Sequence, residues 1–366
     1  MIRAVARIDA GAITANVARM DELTGAATRI CAVVKADGYG HGSAAAARAA
    51  LAGGASSLAV ATAAEAAQLR AEGIDAPILV MGALSRTELD VALAARAEVV
   101  AWRPGFAERV ASTGSPAAVH VKLDTGMGRL GTRDAEEADA VVRAVAAAPS
   151  LRLVGAMTHF ATADDDPAFA LQQLERFLAW APRVKAEHPG ILLHAANSAG
   201  VLTTPESHLD MARCGIAIYG LDPLQRDPSD HGLRPALTLA SWVAEVKPCP
   251  AGSSAGYGRR FVAKRDTWLA TIPIGYADGV RRGLTNTGHV LVGGRRHPIA
   301  GTVSMDNLTI DLGPSASEPP VRGAEAILIG AQDGERILAE EVAAQLGTIT
   351  YEITCGISAR VPREPA

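Results

Sequence analysis

Residues 32–42 read AVVKADGYGHG. An apolar run from Ile30 to Val34 ends on Lys35, a glycine-rich turn carries Asp37, Tyr39 and His41, and the Ala-rich helical run SAAAARAALAGG follows. The order is strand, lysine at the strand end, glycine turn, helix. An apolar strand partly dries such a lysine, which disfavours its charged form and frees an amine nucleophile. Amines of this kind form Schiff bases, including with pyridoxal phosphate. Chemistry alone also allows a lysine whose stem covers the strand end while its charge stays in water.

Outward from this stretch the chain alternates. Apolar strand candidates at 29–35, 56–61, 77–82, 98–102, 117–123, 153–158, 191–195 and 214–219 are interleaved with helix candidates at 42–52, 62–72, 85–96, 104–112, 133–148 and 167–187. A helix near 11–23 precedes them, and at most a small helix near 198–203 follows the seventh strand. Strands apolar on both faces, alternating with helices, predict a parallel sheet covered by helices. Eight such units over residues 1–232 fit an N-terminal (β/α)8 TIM barrel, in the α/β class. An open doubly wound sheet is the alternative, but no GxGxxG follows the first strand. Residues 233–366 change texture. LTLASWVAEVKP, TWLATIPIG, GHVLVGG, HPIAGTVS, NLTIDLG and AEAILIG read as strands, ILAEEVAAQLG as a helix and 349–355 as a last strand. They predict a C-terminal mostly β domain.

The net charge of −4 leaves no basic footprint for nucleic acid. No apolar run approaches the ~18 residues of a membrane helix, and no signal-peptide core opens the chain. A soluble, cytoplasmic protein is expected. Cys31, Cys214, Cys249 and Cys355 are widely spaced, without histidines at metal-ligand spacing. Buried reduced thiols, no metal and no disulfide framework are expected. Only five lysines occur, and of these Lys35 and Lys122 alone follow apolar strands and lead into glycine turns.

Active sites of such barrels lie at the strands' C-terminal ends. There the chain places Lys35, then Lys122 and Asp124 with Arg129 after the turn VKLDTGMGRLG, Thr158 and His159, Asn197 and Ser198, and Arg213 with Gly215. Polar groups at five strand ends are hard to explain as packing. The Ser198 hydroxyl and the Gly215 and Ile216 amides can present donors to an anion, in the loops where this fold usually cradles phosphate. Arg213 could instead pair with Asp210 or Asp222 at the surface.

The stretch VVKADGYGHG resembles, letter for letter, the cofactor-lysine motif of the alanine racemases, pyridoxal-phosphate enzymes built on a barrel. The resemblance runs in order to the tail YEITCGISARVPR. It implies that Lys35 carries pyridoxal 5'-phosphate as a Schiff base and that Tyr39 and Tyr351 donate to the phosphate. On chemistry alone, Tyr351 is equally a half-buried strand tyrosine. The resemblance puts Arg213 opposite the cofactor's pyridine nitrogen, with His159 orienting it. Arginine does not deliver a proton at neutral pH, so the ring stays a weak electron sink, which suits racemisation over transamination.

Racemisation needs a base on each face of the α-carbon. Lys35 serves one. SAGYGRRF resembles the segment whose tyrosine, here Tyr257, serves the other from the partner subunit, so composite sites in a homodimer are implied. Chemistry alone would make Tyr257 a loop tyrosine at an interface. Arg129 and Lys122 resemble the pair in which a carbamylated lysine orients an arginine beside the substrate carboxylate. Met305 of GTVSMDN matches the segment whose backbone amide meets that carboxylate, and Tyr276 of IPIGYADG and Asp164 match entrance-corridor residues. Ser304 departs from the cysteine often found before Met-Asp, and Asn307 and Thr285–Asn286 lie on less constrained turns.

The resemblance implies interconversion of L- and D-alanine, supplying D-alanine for peptidoglycan. A broader amino-acid or serine racemase is the alternative. A barrel that only carries the cofactor would have no second domain with a second base. A decarboxylase on this barrel would carry an acid where Arg213 stands.

Overall fold

The computed structural model describes residues 2–314 and 321–366. The chain forms two units: Gly11–Leu224 with Pro228–Arg234, and Met1–Ala10 with Gln225–Asp227 and Pro235–Ala366.

The first unit is the barrel. Strands β2 (Arg29–Val33), β3 (Ser57–Val60), β4 (Ile78–Val80), β5 (Glu98–Ala101), β6 (Ala117–Lys122), β7 (Leu151–Met157), β8 (Leu192–His194) and β9 (Met211–Cys214) form one parallel sheet; β1 is Val5–Ile8, in the other unit. Strand β2 pairs with both β3 and β9, with Cys31 opposite Arg213. The Arg213 N–H donates to the Ala196 carbonyl at 3.0 Å, and Asn197 bridges Arg213 in parallel, which nearly closes the ring between β8 and β9. Most strand residues are buried, as a sheet covered on both faces requires.

The connecting helices start where the chain supplies caps. Thr62 with Glu65, and Ser85 with Glu88, form reciprocal capping boxes. Asp166 caps Pro167–Leu178, where Pro167 stands at the first helical position. Small Ala46, Ala47 and Ala50 let Ser43–Ala52 lie close to the sheet.

Two expectations for this unit change, and the expected turn after β2 takes a particular form. The run 167–187 is two helices, Pro167–Leu178 and Ala181–Glu187, broken before Pro182, which has no N–H for a continuous helix. The last strand is Met211–Cys214, and 214–219 is mostly the tight turn Ile216–Tyr219, apolar because it is buried. The end of β2 leads into a left-handed turn: Ala36, Asp37, Gly38 and Tyr39 all have φ between 52° and 62°.

The second unit is built on β-sheets. One runs Arg295–Pro298, His289–Val292, Glu325–Gln332, Leu237–Trp242, β1, Arg363–Pro365, and a second joins Glu245–Cys249, Thr267–Ile272 and Leu308–Gly313. Strand β1, which the sequence reading did not single out, pairs antiparallel with Leu237–Trp242 and parallel with Arg363–Pro365. The expected strand at 349–355 is the helix Thr350–Cys355. Its β-branched residues suggest a strand, but Thr350, Ile353 and Thr354 are buried at helical spacing. Cys31, Cys214 and Cys249 are buried and free, whereas Cys355, expected inside, is exposed. No helix among the described residues is long and apolar enough to cross a membrane.

Candidate active site

A cavity of about 250 Å³ opens at the C-terminal ends of the barrel strands. Lys35, Lys122, Arg129, His159 and Arg213 line it, with Ala61, Met81, Gly82, Leu130 and Met157. None of these lining residues is acidic.

Lys35 follows β2 directly and opens the left-handed turn. Glu65 holds that turn from the next strand–helix unit: its Oε1 accepts from Ala36 N–H at 2.7 Å, and its Oε2 from Ala61 N–H at 2.8 Å. Asp37 Oδ1 accepts from Ser43 N–H at 2.8 Å, tying the turn to the following helix. The Tyr39 ring packs on Tyr219 at 5.1 Å between centroids, and Tyr219 donates to the Val33 carbonyl at 3.0 Å. A Cβ at Gly215 would lie 2.5 Å from the Tyr39 hydroxyl oxygen, so only glycine there lets the phenol come so close. Gly215 N–H itself donates to Ser198 Oγ at 2.9 Å, and Ala217 N–H to the same oxygen at 3.3 Å. The amide expected to face an anion at Gly215 is therefore used to hold Ser198. Asn197 caps the short helix Ser198–Thr203 through Gly200 N–H at 2.8 Å. Tyr39, Asn197, Ser198, Gly215 and Ile216 thus belong to one unit at the strand ends.

Arg213 is buried, and its partners are neither Asp210, which binds Lys185 at 2.6 Å, nor Asp222. Nη1 donates to His194 Nδ1 at 2.8 Å and to the His194 carbonyl at 3.1 Å. Nη2 donates to the carbonyls of Thr158 and Ala195 at 2.7 and 3.0 Å and meets His159 Nδ1 at 3.3 Å. Among the described residues nothing accepts from Nε–H. Burial brings the Arg213 guanidinium down to about 10, which leaves it charged at neutral pH. Burial, then the charges of Arg213 and its basic neighbours, holds His159 well below the usual histidine range, so its ring is neutral.

Lys122 ends β6 and is buried. Burial, then repulsion by Arg213 and Arg129, brings its amine down to about 8. No described residue accepts a hydrogen bond from it. The turn that carries Arg129 is folded around Asp124, which accepts from Gly126 and Gly128 N–H at 3.1 and 3.0 Å and from Arg133 Nε at 3.1 Å. Gln173, fully buried and absent from the sequence reading, accepts from Ala161 N–H at 2.8 Å and donates to the His159 carbonyl at 3.2 Å. It is a helix residue far from any motif.

In the β unit, Tyr276 and Met305 come together: the amides of Tyr276 and Ala277 donate to the carbonyls of Ser304 and Met305 at 2.9 and 3.0 Å. Gly275 allows this, because a Cβ there would lie 2.3 Å from the Ser304 carbonyl oxygen. The turn Tyr257–Arg259 joins the same segment through Thr302 Oγ1, which donates to the Tyr257 carbonyl at 2.7 Å. Tyr257, Tyr276 and Met305 are all exposed, Tyr257 most at 74 %. Tyr351 is half-buried on Thr350–Cys355 of this unit.

Comparison with known proteins gives a consistent result. The family model described as "Alanine racemase, N-terminal domain" matches residues 8–223, and that for "Alanine racemase, C-terminal domain" matches 236–365. An alanine racemase of Geobacillus kaustophilus is 44 % identical over 97 % of this chain and 92 % of its own. "Alanine racemase 1" of Bacillus subtilis is 42 % identical over 98 % and 92 %. The crystal structure of alanine racemase from E. faecalis superposes with a TM-score of 0.93 at 37 % identity, covering 100 % of this chain and 98 % of that one. That from Streptomyces coelicolor A3(2) gives 0.93 at 38 %, with the same coverage. With both family regions matched and relatives similar over nearly their whole length, this chain belongs to the alanine racemase family.

Proposed function

We propose that the barrel cavity binds pyridoxal 5'-phosphate and that the chain is an alanine racemase, interconverting L- and D-alanine and supplying D-alanine for peptidoglycan. The observation that carries this reading is Arg213. Its two amino groups are fully engaged, and its Nε–H remains for an acceptor such as a ring nitrogen. The donor set around it fits an anionic aldehyde: amines and guanidinium groups without a carboxylate. When bound, pyridoxal phosphate supplies an aldehyde that condenses with amines and a ring that draws electrons from the substrate's α-carbon.

The chain's own residues do the rest. Lys35 holds the group through its amine and, once freed, takes or returns the proton at Nζ on one face of the α-carbon. Tyr257 of the partner subunit does so at its hydroxyl on the other face, and its exposure suits that task. Arg213 holds its N–H toward the ring without giving up a proton, and His159 keeps it in place. Tyr39, Ser198, Ile216 and Tyr351 donate to the phosphate, with Asn197 and Gly215 shaping the cradle. Arg129 pairs with the substrate carboxylate, assisted by the Met305 amide, and Tyr276 lines the way in. On this reading residues 1–232 bind the cofactor, 233–366 bring the second base, and the working form is a homodimer in the cytoplasm.

Lys122 completes the pocket as a carbamate. Its neutral amine attacks carbon dioxide, an N–C bond forms and one N–H proton leaves to solvent. The new anion then orients Arg129, which an ammonium would repel. The lowered pKa of Lys122 supports this, since only the unprotonated amine reacts.

Chiral analysis of the products from L-alanine, L-serine and L-lysine, with and without added pyridoxal phosphate, tests the reading. Cofactor-dependent formation of D-alanine is expected. Comparable turnover of serine would favour the broader racemase, and no turnover of any would overturn both. Lys35→Ala should lose the visible imine absorbance along with activity, and an added small amine should restore part of each. Borohydride reduction and peptide mapping check the attachment. A label on Lys122 or Lys247 would end the assignment.

A further inference from the structure

Arg213 is one end of a hydrogen-bonded chain through the barrel interior. His194, which accepts from Arg213 at Nδ1, meets His120 Nδ1 through its own Nε2 at 2.9 Å. His120 Nε2 meets Glu98 Oε2, at the start of β5, at 2.9 Å. Both histidines are buried, and their rings meet edge to face.

The two ends decide where the protons lie. A guanidinium only donates, and a carboxylate only accepts. His194 Nδ1 must therefore be bare, so the neutral ring carries its proton on Nε2 and gives it to His120 Nδ1. His120 in turn carries its proton on Nε2 and gives it to Glu98. Burial, then the charge of Arg213, holds His194 well below the usual histidine range, which keeps its ring neutral. Burial pushes the Glu98 carboxyl up, but the hydrogen bond from His120 and the charge of Arg152 bring it below its ordinary value.

If His120 instead carried its proton on Nδ1, it would donate to His194 Nε2. The His194 proton would move to Nδ1 and face an arginine N–H 2.8 Å away. One of the two would have to turn aside. The carboxylate two rings away therefore holds His194 in the same tautomer that Arg213 requires, so the two ends of the chain reinforce one another.

A second observation points the same way. Gly155 lies on β7, between the strands of the two histidines, in register with His120 and Leu192. A Cβ there would sit 2.1 Å from His120 Nδ1 and 2.7 Å from Cε1. The glycine vacates the space through which His120 reaches His194.

We propose that Glu98 and His120, given room by Gly155, are positioning residues for Arg213: they lock His194 as a permanent acceptor and so hold the guanidinium with its Nε–H toward the cavity. The catalytic part of this inference rests on the reading that Arg213 faces the cofactor ring. The tautomer lock stands apart from it.

Cofactor-free protein labelled with 15N-histidine tests the lock by NMR, because the ring nitrogens of the two tautomers resonate far apart. His194 and His120 should each be a single Nε2–H form. Glu98→Met and Glu98→Ala both remove the acceptor and should give mixed tautomers at both rings. Gly155→Ala should do so at His194 while leaving His120 bound to Glu98. Glu98→Gln, whose amide oxygen still accepts, should keep the wild-type signals. In loaded enzyme, Glu98→Met should lower kcat about tenfold with KM nearly unchanged, the scale of one lost hydrogen bond to a charged group, and Glu98→Gln should recover it. An unchanged His194 signal in Glu98→Met and Glu98→Ala would overturn the proposal. Mixed tautomers with unchanged kcat would overturn the positioning role and with it the placement of Arg213 against the ring. If the wild type makes no D-alanine, the racemase reading fails alone, and the tautomer result still decides the lock.

Discussion

Lys122 carries a charge that folding does not welcome. Burial and its arginine neighbours bring its pKa from 10.5 to about 8. Between those values the unfolded chain binds more protons than the folded one, so stability rises with pH across that window. Below the lower value the whole penalty is present, on the order of 3 kcal/mol. Lys122→Met should therefore be more stable than wild type at neutral pH in bicarbonate-free buffer, with the advantage fading as pH rises to 10.5. Urea unfolding of both proteins across that range measures it. A constant difference would mean that Lys122 is not destabilised by its charge, and added bicarbonate should narrow the gap if the carbamate forms. At this scale the sequence was informative where a residue sits in a dense motif, as Lys35 and Arg129 do. It was silent on His120, His194, Glu65 and Gln173. A lone polar residue on a strand or helix carries no mark of the neighbour it will meet, and these four find theirs across 14 to 74 residues.

The left-handed turn after β2 shows how an element can be held against its own preference. A non-glycine residue in this conformation costs roughly 1–2 kcal/mol, and Ala36, Asp37 and Tyr39 all adopt it. Hydrogen bonds from Ala36 N–H to Glu65 and from Ser43 N–H to Asp37 offset that cost. Asp37→Ala removes the acceptor for Ser43 N–H and places a poorly suited residue at positive φ; it should lose about 2 kcal/mol. Asp37→Asn keeps both the oxygen and the tolerance, and should lose under about 0.5 kcal/mol. Chemical denaturation of the pair tests this, and equal losses would show that the side chain does not hold the turn. Most barrel elements could be read from the chain, because a strand buried on both faces must be apolar and its helices announce themselves by caps. The misreadings share one cause. Segments 214–219 and 350–355 are apolar or β-branched because they are buried, and burial alone does not choose between strand, tight turn and helix.

On the proposed mechanism the whole molecule works only if each site has both bases. If Tyr257 serves the partner's cavity, Lys35→Ala and Tyr257→Phe should each be nearly inactive, and a mixture of the two should regain activity. A heterodimer rebuilds one intact site and leaves the other doubly damaged. Random exchange of equal amounts makes half of the dimers mixed, so recovery should approach about a quarter of wild type. Verified exchange without recovery would place both bases in one chain. The order of the β unit along the chain was the least readable part of the fold, because β1 is a strand of four residues whose partners, Leu237–Trp242 and Arg363–Pro365, both lie beyond the barrel in the chain.

That arrangement sets a timetable for synthesis. Val5 pairs with Ala240 and Ala6 with Arg363, so β1 leaves the ribosome with neither partner and gains them only after the intervening barrel has been made. At ~5–20 residues per second that wait is on the order of ten seconds or more, during which an apolar-edged strand stands open to wrong company. Removing residues 2–9 should leave the barrel folded yet let protease cut within Leu237–Trp242 and Arg363–Pro365, the strands that flank the vacated place. A strand made before the barrel thus completes a sheet made after it.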